Sequence, residues 1–255
     1  MAAAQEQFSV KLAETPEELR AAQRLRYSVF VEELGGDGPM VDHDARLEQD
    51  RFDPYFDHLI LKDMTQGGAV AGVYRVLRDD QARRAGQFYS EDEYDLSALK
   101  SSGRRLMELG RSCLAPAYRG GAAMFHLWNG LARYVSENQI EILFGVASFH
   151  GTDPTALAQP LSLLHHRHLA PEALRVCTQK AHFQTMNLLP QDQIDRRAAM
   201  LQVPALIKAY LRLCGYVGDG ALVDHAFNTT DICLIMDTER LSQTQKNIYS
   251  KGITV

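Results

Sequence analysis

Apolar residues along this chain recur with two different periods, and the switches between them lay out a mixed α/β domain. Residues 8–13 (FSVKLA) alternate apolar and polar, which predicts a strand. Thr15-Pro16-Glu17-Glu18 then supplies an N-cap residue, a proline at the first helical position and a glutamate at the capping-box position. A helix is expected from there to about Leu34. Leu19, Ala22, Leu25 and Val29 form its apolar stripe, and Arg26 and Phe30 lie four apart on a neighbouring face. The glycines and proline of residues 35–39 end it. A long, acidic, irregular segment continues to Phe56, and loops of that length inside a domain tend to be functional.

The period then shortens. Residues 58–62 (HLILK) and 69–77 (AVAGVYRVL) read as strands paired around a turn at Gln66-Gly67-Gly68. A polar excursion with some helix fills residues 79–105, and 105–114 (RLMELGRSCL) return as a strand. Met124, Leu127, Trp128, Leu131 and Val135 share one face of a helix expected over 120–137, and 140–149 (IEILFGVASF) form an apolar strand. Helices are expected over 153–169 and 201–213, the latter ended by Gly215, and closing strands over 221–224 and 231–236. The order β-α-β-β-β-α-β runs without repeats or linkers. It is read as one domain over 8–238 with peripheral tails at 1–7 and 239–255.

Composition narrows the class. The chain has 255 residues, of which 45% are hydrophobic and 23% charged, enough for a sizeable core. A net charge of −5 argues against a dedicated nucleic-acid binder. The start, MAAAQEQFSV, lacks the basic and apolar regions of a secretory signal. No apolar run approaches the roughly 20 residues of a membrane span. Cys113, Cys177, Cys214 and Cys233 are far apart, so neither a metal site nor a disulfide framework is expected. These features together read as a cytoplasmic protein with reduced thiols.

Several clusters have chemistry in them. Asp50 and Asp53 lie within the irregular segment, where they suit a turn or a pocket for an ammonium group. Glu108 falls inside an apolar strand, where a carboxylate is costly unless paired or wet. It should point away from Arg111 unless a bulge intervenes, and Gly110 between them permits close approach by a ligand or another backbone. Arg26 and Arg75 are buried by pattern. Each needs an acid, such as Asp50, Asp53 or Glu108, or a bound carboxylate. Arg119-Gly120-Gly121-Ala122 precedes a helix whose N-terminal amides suit a phosphate, though Gly-Gly is also a common turn. Cys113 is read as a small buried residue more readily than as a nucleophile. His165-His166-Arg167-His168 has no companion ligand cluster and is read as a polar helix end, so no metal is expected.

Taken together these residues resemble a known group. The strand order with a basic-glycine turn after the fourth strand is similar to the GNAT fold, a mixed and mostly antiparallel central sheet flanked by helices, here with extra C-terminal helices. Arg26 with Phe30, Asp50, Asp53, Arg75, Glu108 and Arg111 resemble the charged set of acyl-homoserine lactone synthases. The segments ELGRSCLAPAYRGG (108–121), VPALIKAYLRLCG (203–215) and DHAFNTTDICLIM (224–236) resemble the ornithine N-acyltransferases of ornithine-lipid biosynthesis, within a broader hemolysin-like family. The resemblance covers residues 8–238.

That resemblance implies transfer of a 3-hydroxyacyl chain from acyl carrier protein to an amino acid, with no further cofactor. The turn at 119–122 is a degenerate version of the usual GNAT pyrophosphate loop, which fits a carrier-protein donor. Cys113, Leu114, Arg119, Gly120 and Gly121 are then expected along the phosphopantetheine arm, with Arg104, Arg105, Arg119 and Arg133 meeting the carrier's acidic surface. Glu108 is expected to act as base through water, and an N–H between Arg111 and Leu114 to hold the oxyanion. Arg26, Arg75 or Arg111 would clamp the acceptor carboxylate, and Asp50 or Asp53 the side-chain ammonium of ornithine. Glutamine, glycine, lysine or S-adenosylmethionine as acceptor, and a silent binding module, are the rivals. Lys208 and Arg212, four apart on one helix, make a peripheral membrane contact worth testing, although a core-packing helix is the plainer reading.

Overall fold

The computed structural model describes residues 7–241. In chain order the elements are β1 (Phe8–Leu12), α1 (Pro16–Arg26), β2 (Val41–Asp42), β3 (Leu47–Glu48), β4 (Asp57–Asp63), β5 (Ala69–Arg78), α2 (Asp79–Ala85), β6 (Tyr94–Asp95), α3 (Ser97–Ser101), β7 (Leu106–Leu114), α4 (Ala123–Glu137), β8 (Ile142–His150), α5 (Ala158–His168), β9 (Cys177–Thr178), α6 (Arg196–Gln202), α7 (Ala205–Arg212), β10 (Tyr216–Val217), β11 (Leu222–Asp224) and β12 (Thr229–Asp237). They make a mixed, mostly antiparallel sheet flanked by helices. Two compact units divide the described residues. One holds the chain up to Ala85 with Leu109–Gln139, the other Gly86–Glu108 with Ile140–Leu241, so β7 changes unit between Glu108 and Leu109.

In the first unit the strand order is β1-β4-β5-β7. Strands β1, β4 and β5 are antiparallel, with Val10 opposite Leu61 and Leu59 opposite Tyr74. Successive strand residues face opposite ways, and the two helices use both faces. On one, Ala22, Leu25 and Val29 pack with Ile60, Val73 and Cys113. On the other, Gly130 of α4 sits so close to the sheet that an added Cβ would lie 2.3 Å from the Val10 side chain. Thr15 caps α1 as expected, its hydroxyl accepting the Glu18 N–H at 3.2 Å. The Glu18 carboxylate, however, reaches the N–H of Glu14 at 3.0 Å. The helical run continues to Leu34, but Tyr27–Glu33 are wound as a π-helix, a widening often found near functional sites. The segment expected to be irregular contains the small hairpin β2–β3, with Val41 opposite Glu48.

In the second unit β8 and β12 pair antiparallel from Ile142↔Asp237 to His150↔Thr229, longer than the strand expected over 231–236. Short β10 and β11 add to β12, and Leu106–Glu108 run parallel to Ile142–Phe144. The single helix expected over 201–213 is two. Val203 is extended (φ −63°, ψ 130°) and Pro204 precedes α7. Proline has no N–H to continue α6 and pushes the residue before it out of helical geometry.

Candidate active site

The expected acidic and basic residues of the first unit meet in one buried network. Arg26 closes α1, with its Nε on Glu48 and its Nη1 on Asp53 at 2.9 Å. Arg75, on β5, sends Nη1 to Asp50 at 2.7 Å and to Asp53 at 2.6 Å. Arg111, on β7, donates from Nε to the second oxygen of Glu48 at 2.9 Å. Gln23 donates to the remaining Asp53 oxygen at 2.8 Å, and the Phe56 ring lies 4.1 Å from the Arg75 guanidinium carbon. The segment after β3 is shaped for this. Asp50 accepts the Phe52 N–H at 2.8 Å and its carbonyl the Asp53 N–H, which turns both carboxylates onto Arg75.

Three guanidiniums thus face three carboxylates, from Glu48, Asp50 and Asp53. Burial alone would raise the Asp53 carboxyl, but Arg26 and Arg75 outweigh it and hold it well below the usual carboxylate range. Arg111 and Arg26 do the same for Glu48. His58, beside them with Nε2 3.1 Å from the Asp53 carbonyl, is pushed down by burial against the pull of Asp53, so it stays neutral. The side chains of Arg26 and Arg75 are 0% and 1% exposed, whereas Arg111 keeps 16%. Arg111 is the member of the set with a route to solvent.

Arg111 also has φ +51°, a left-handed residue inside a strand. That departs from extended strand geometry at Arg111, so simple alternation need not hold across it. Glu108 belongs to the second unit, where its two oxygens accept the N–H groups of Tyr89 and Ser90 at 2.7 and 2.8 Å. The structure therefore gathers Arg26, Asp50, Asp53, Arg75 and Arg111 into one cluster, and Glu108 engages the 89–90 turn.

The residues expected along the donor occupy the end of β7 and the start of α4. Cys113 is buried, which pushes its thiol up to about 12, so it is a protonated packing group and not a nucleophile at neutral pH. The Leu114 carbonyl accepts Arg119 Nε at 3.2 Å, and Arg119 also pairs with Glu33. Gly120 has φ +75°; a Cβ on Gly110, Gly120 or Gly121 would meet nothing within 4 Å. Helix α4 starts after Ala122, which makes no side-chain capping bond. Of the arginines expected to meet a carrier, Arg104 is held by both oxygens of Asp237 at 2.6 and 2.9 Å, and Arg133 contacts the Val10 carbonyl at 3.4 Å. His166 of the histidine run bonds the Leu189 carbonyl at 3.0 Å.

An L-ornithine N(alpha)-acyltransferase from Rhodobacter capsulatus is 56% identical to this chain, with 99% of this chain and 98% of that protein covered. The chain belongs to the L-ornithine N(alpha)-acyltransferase family. A second relative of that name, from Brucella abortus, is 40% identical over 95% of this chain and 88% of its own length. The acetyltransferase (GNAT) domain family matches residues 25–129. Two solved structures share the fold. One is FeeM, an N-acyl amino acid synthase from uncultured soil microbes, with a TM-score of 0.54 and 12% identity over 94% of this chain and 97% of that one. The other is the AHL synthase LasI, with a TM-score of 0.51 and 16% identity over 97% of each chain.

The network of this acyltransferase contains one carboxylate that sequence reasoning passed over. Glu48 is 0% exposed and is shared by Arg26 and Arg111. The count of charges points to it only once Glu108 is placed. With Glu108 engaged by the 89–90 turn, three arginines against the two aspartates of the loop call for another acid, and Glu48 lies two residues before Asp50. Gln23 and Phe56 carried no such signal, because an amide and an aromatic ring are ordinary neighbours of any core.

Proposed function

We propose that this acyltransferase moves a 3-hydroxyacyl chain from the phosphopantetheine thioester of acyl carrier protein to the α-amine of L-ornithine, the first step of ornithine-lipid synthesis. The observation that carries the reading is the 56% identity, across 99% of the chain, to an enzyme named for that acceptor and that nitrogen. In the reaction the neutral amine attacks the thioester carbon. Its proton passes to Glu108 through water, and collapse of the tetrahedral species breaks the C–S bond, the leaving thiolate taking up a proton from water to become the phosphopantetheine thiol.

Charge and exposure support separate roles. Arg111, the accessible guanidinium, meets the acceptor carboxylate in the bidentate geometry that arginine favours. Arg26, Arg75 and Asp53 hold Glu48 and Asp50 in place, and Asp50, at 6% exposed, is the acid offered to the side-chain ammonium. Open space over Gly110, Gly120 and Gly121 supports close approach of the donor arm. The N-terminus of α4, without a side-chain cap, supports a phosphate there.

The test is expression in a host lacking aminolipids, followed by mass spectrometry of its lipids. New N-acyl-ornithine bearing a hydroxyacyl chain is expected. A different head group overturns the acceptor, and a chain delivered only by acyl-coenzyme A in vitro overturns the donor. Glu108→Gln should lower turnover more than it raises the acceptor KM, and full activity across pH in that variant removes the base.

A further inference from the structure

One surface of the second unit gathers basic side chains, and three of them make no ion pair among the described residues. An open groove of about 560 Å³ between α6 and α7 is lined by Arg196, Arg197, Met200, Leu201, Lys208 and Arg212. Arg196, Arg197 and Lys208 make no ion pair among the described residues; Lys208 Nζ donates to the Leu201 carbonyl at 3.3 Å. The nearest acid in sequence, Asp195, is turned onto the N–H groups of Arg197 and Ala198 at the start of α6. Leu201 is 74% exposed, the most of the large apolar side chains exposed among the described residues. No helix among these residues is long and apolar enough to cross a membrane.

We infer that this groove is a docking surface for an anionic lipid bilayer. Like charges gathered together repel one another unless an anionic surface neutralises them, and Leu201 and Met200 add apolar surface between them. A bilayer answers both features. Lipid phosphates pair with Arg196, Arg197 and Lys208 while Leu201 and Met200 enter the headgroup boundary, and long basic side chains reach back to the phosphates. An exposed apolar side chain flanked by long basic ones is the pattern of a segment that lies on a bilayer surface. The inference does not depend on the acceptor or the donor of the reaction.

Sedimentation of the full chain with phosphatidylcholine vesicles, with and without phosphatidylglycerol, tests it. Binding is expected only with phosphatidylglycerol and should weaken as salt rises. Arg196→Ala and Arg197→Ala should each lower the partition coefficient about fivefold, and Leu201→Ser about tenfold without a change of charge. The charge-matched control Arg20→Ala, at an exposed arginine of α1 in the first unit, should bind as the wild type does. Circular dichroism confirms that each variant is folded. No binding to anionic vesicles, equal binding to neutral ones, or groove variants that bind like the control would overturn the proposal. Loss of acyl-carrier-protein binding in the groove variants with vesicle binding intact would assign the groove to a protein partner instead.

Discussion

Glu48→Gln is the most demanding perturbation of the network, because it keeps the shape of the side chain and removes only its charge. The wild-type carboxylate is fully buried and accepts from Arg26 on one oxygen and from Arg111, at 2.9 Å, on the other. Without it, three guanidiniums share two carboxylates, and two of the three, Arg26 and Arg75, are buried away from water. Breaking a buried pair by removing one partner costs about 3–5 kcal/mol. That is a large part of an ordinary domain stability of about 5–15 kcal/mol. At about 2–4 °C per kcal/mol for a chain of this size, the melting temperature should fall by about 6–20 °C. Urea unfolding followed by fluorescence and by circular dichroism measures the loss and shows whether the two units unfold together. The double variant Glu48→Gln with Arg26→Met restores two cations against two carboxylates and should recover part of it. A loss below about 1 kcal/mol in the single variant, or no recovery in the double, would refute the idea that charge balance holds this cluster.

Three further outcomes follow from the same geometry. Glu48 and Asp53 have folded-state pKa values below their unfolded ones, so their stabilisation is full above the ordinary carboxylate range and is lost as pH falls through the folded values; urea midpoints should therefore drop on acidification, and less steeply in Glu48→Gln. Gly110→Ala adds a methyl that meets no protein atom, so stability should stay within about 1 kcal/mol of wild type while the donor KM rises, and an unchanged KM would remove the donor from this face. Cys113→Ala should retain acyl transfer in a product assay, because the thiol is buried and protonated, whereas complete loss in a folded variant would revive a covalent route.

The sequence by itself determined the order of the main strands and helices. Alternation and helical spacing report which face of an element is apolar, and Thr15-Pro16 and Gly35 mark ends through local chemistry that needs no tertiary partner. It also determined which residue types had to meet. Buried arginines require acids, and Asp50 and Asp53 were the acids at hand for Arg75. The remainder depended on long-range packing. The left-handed Arg111, the π-winding after Arg26 and the break at Val203 depend on how the backbone is bent to fit its neighbours, with only Pro204 visible in advance as the cause of one of them. Glu48 became the shared acid because the β2–β3 hairpin carries it beneath Arg26 and Arg111, residues 22 and 63 positions away. A period of two or 3.6 residues records burial but not the partner that makes burial tolerable. Long-range charge pairing is therefore settled by the fold, and with it the difference between the fully buried Arg26 and Arg75 and the partly exposed Arg111.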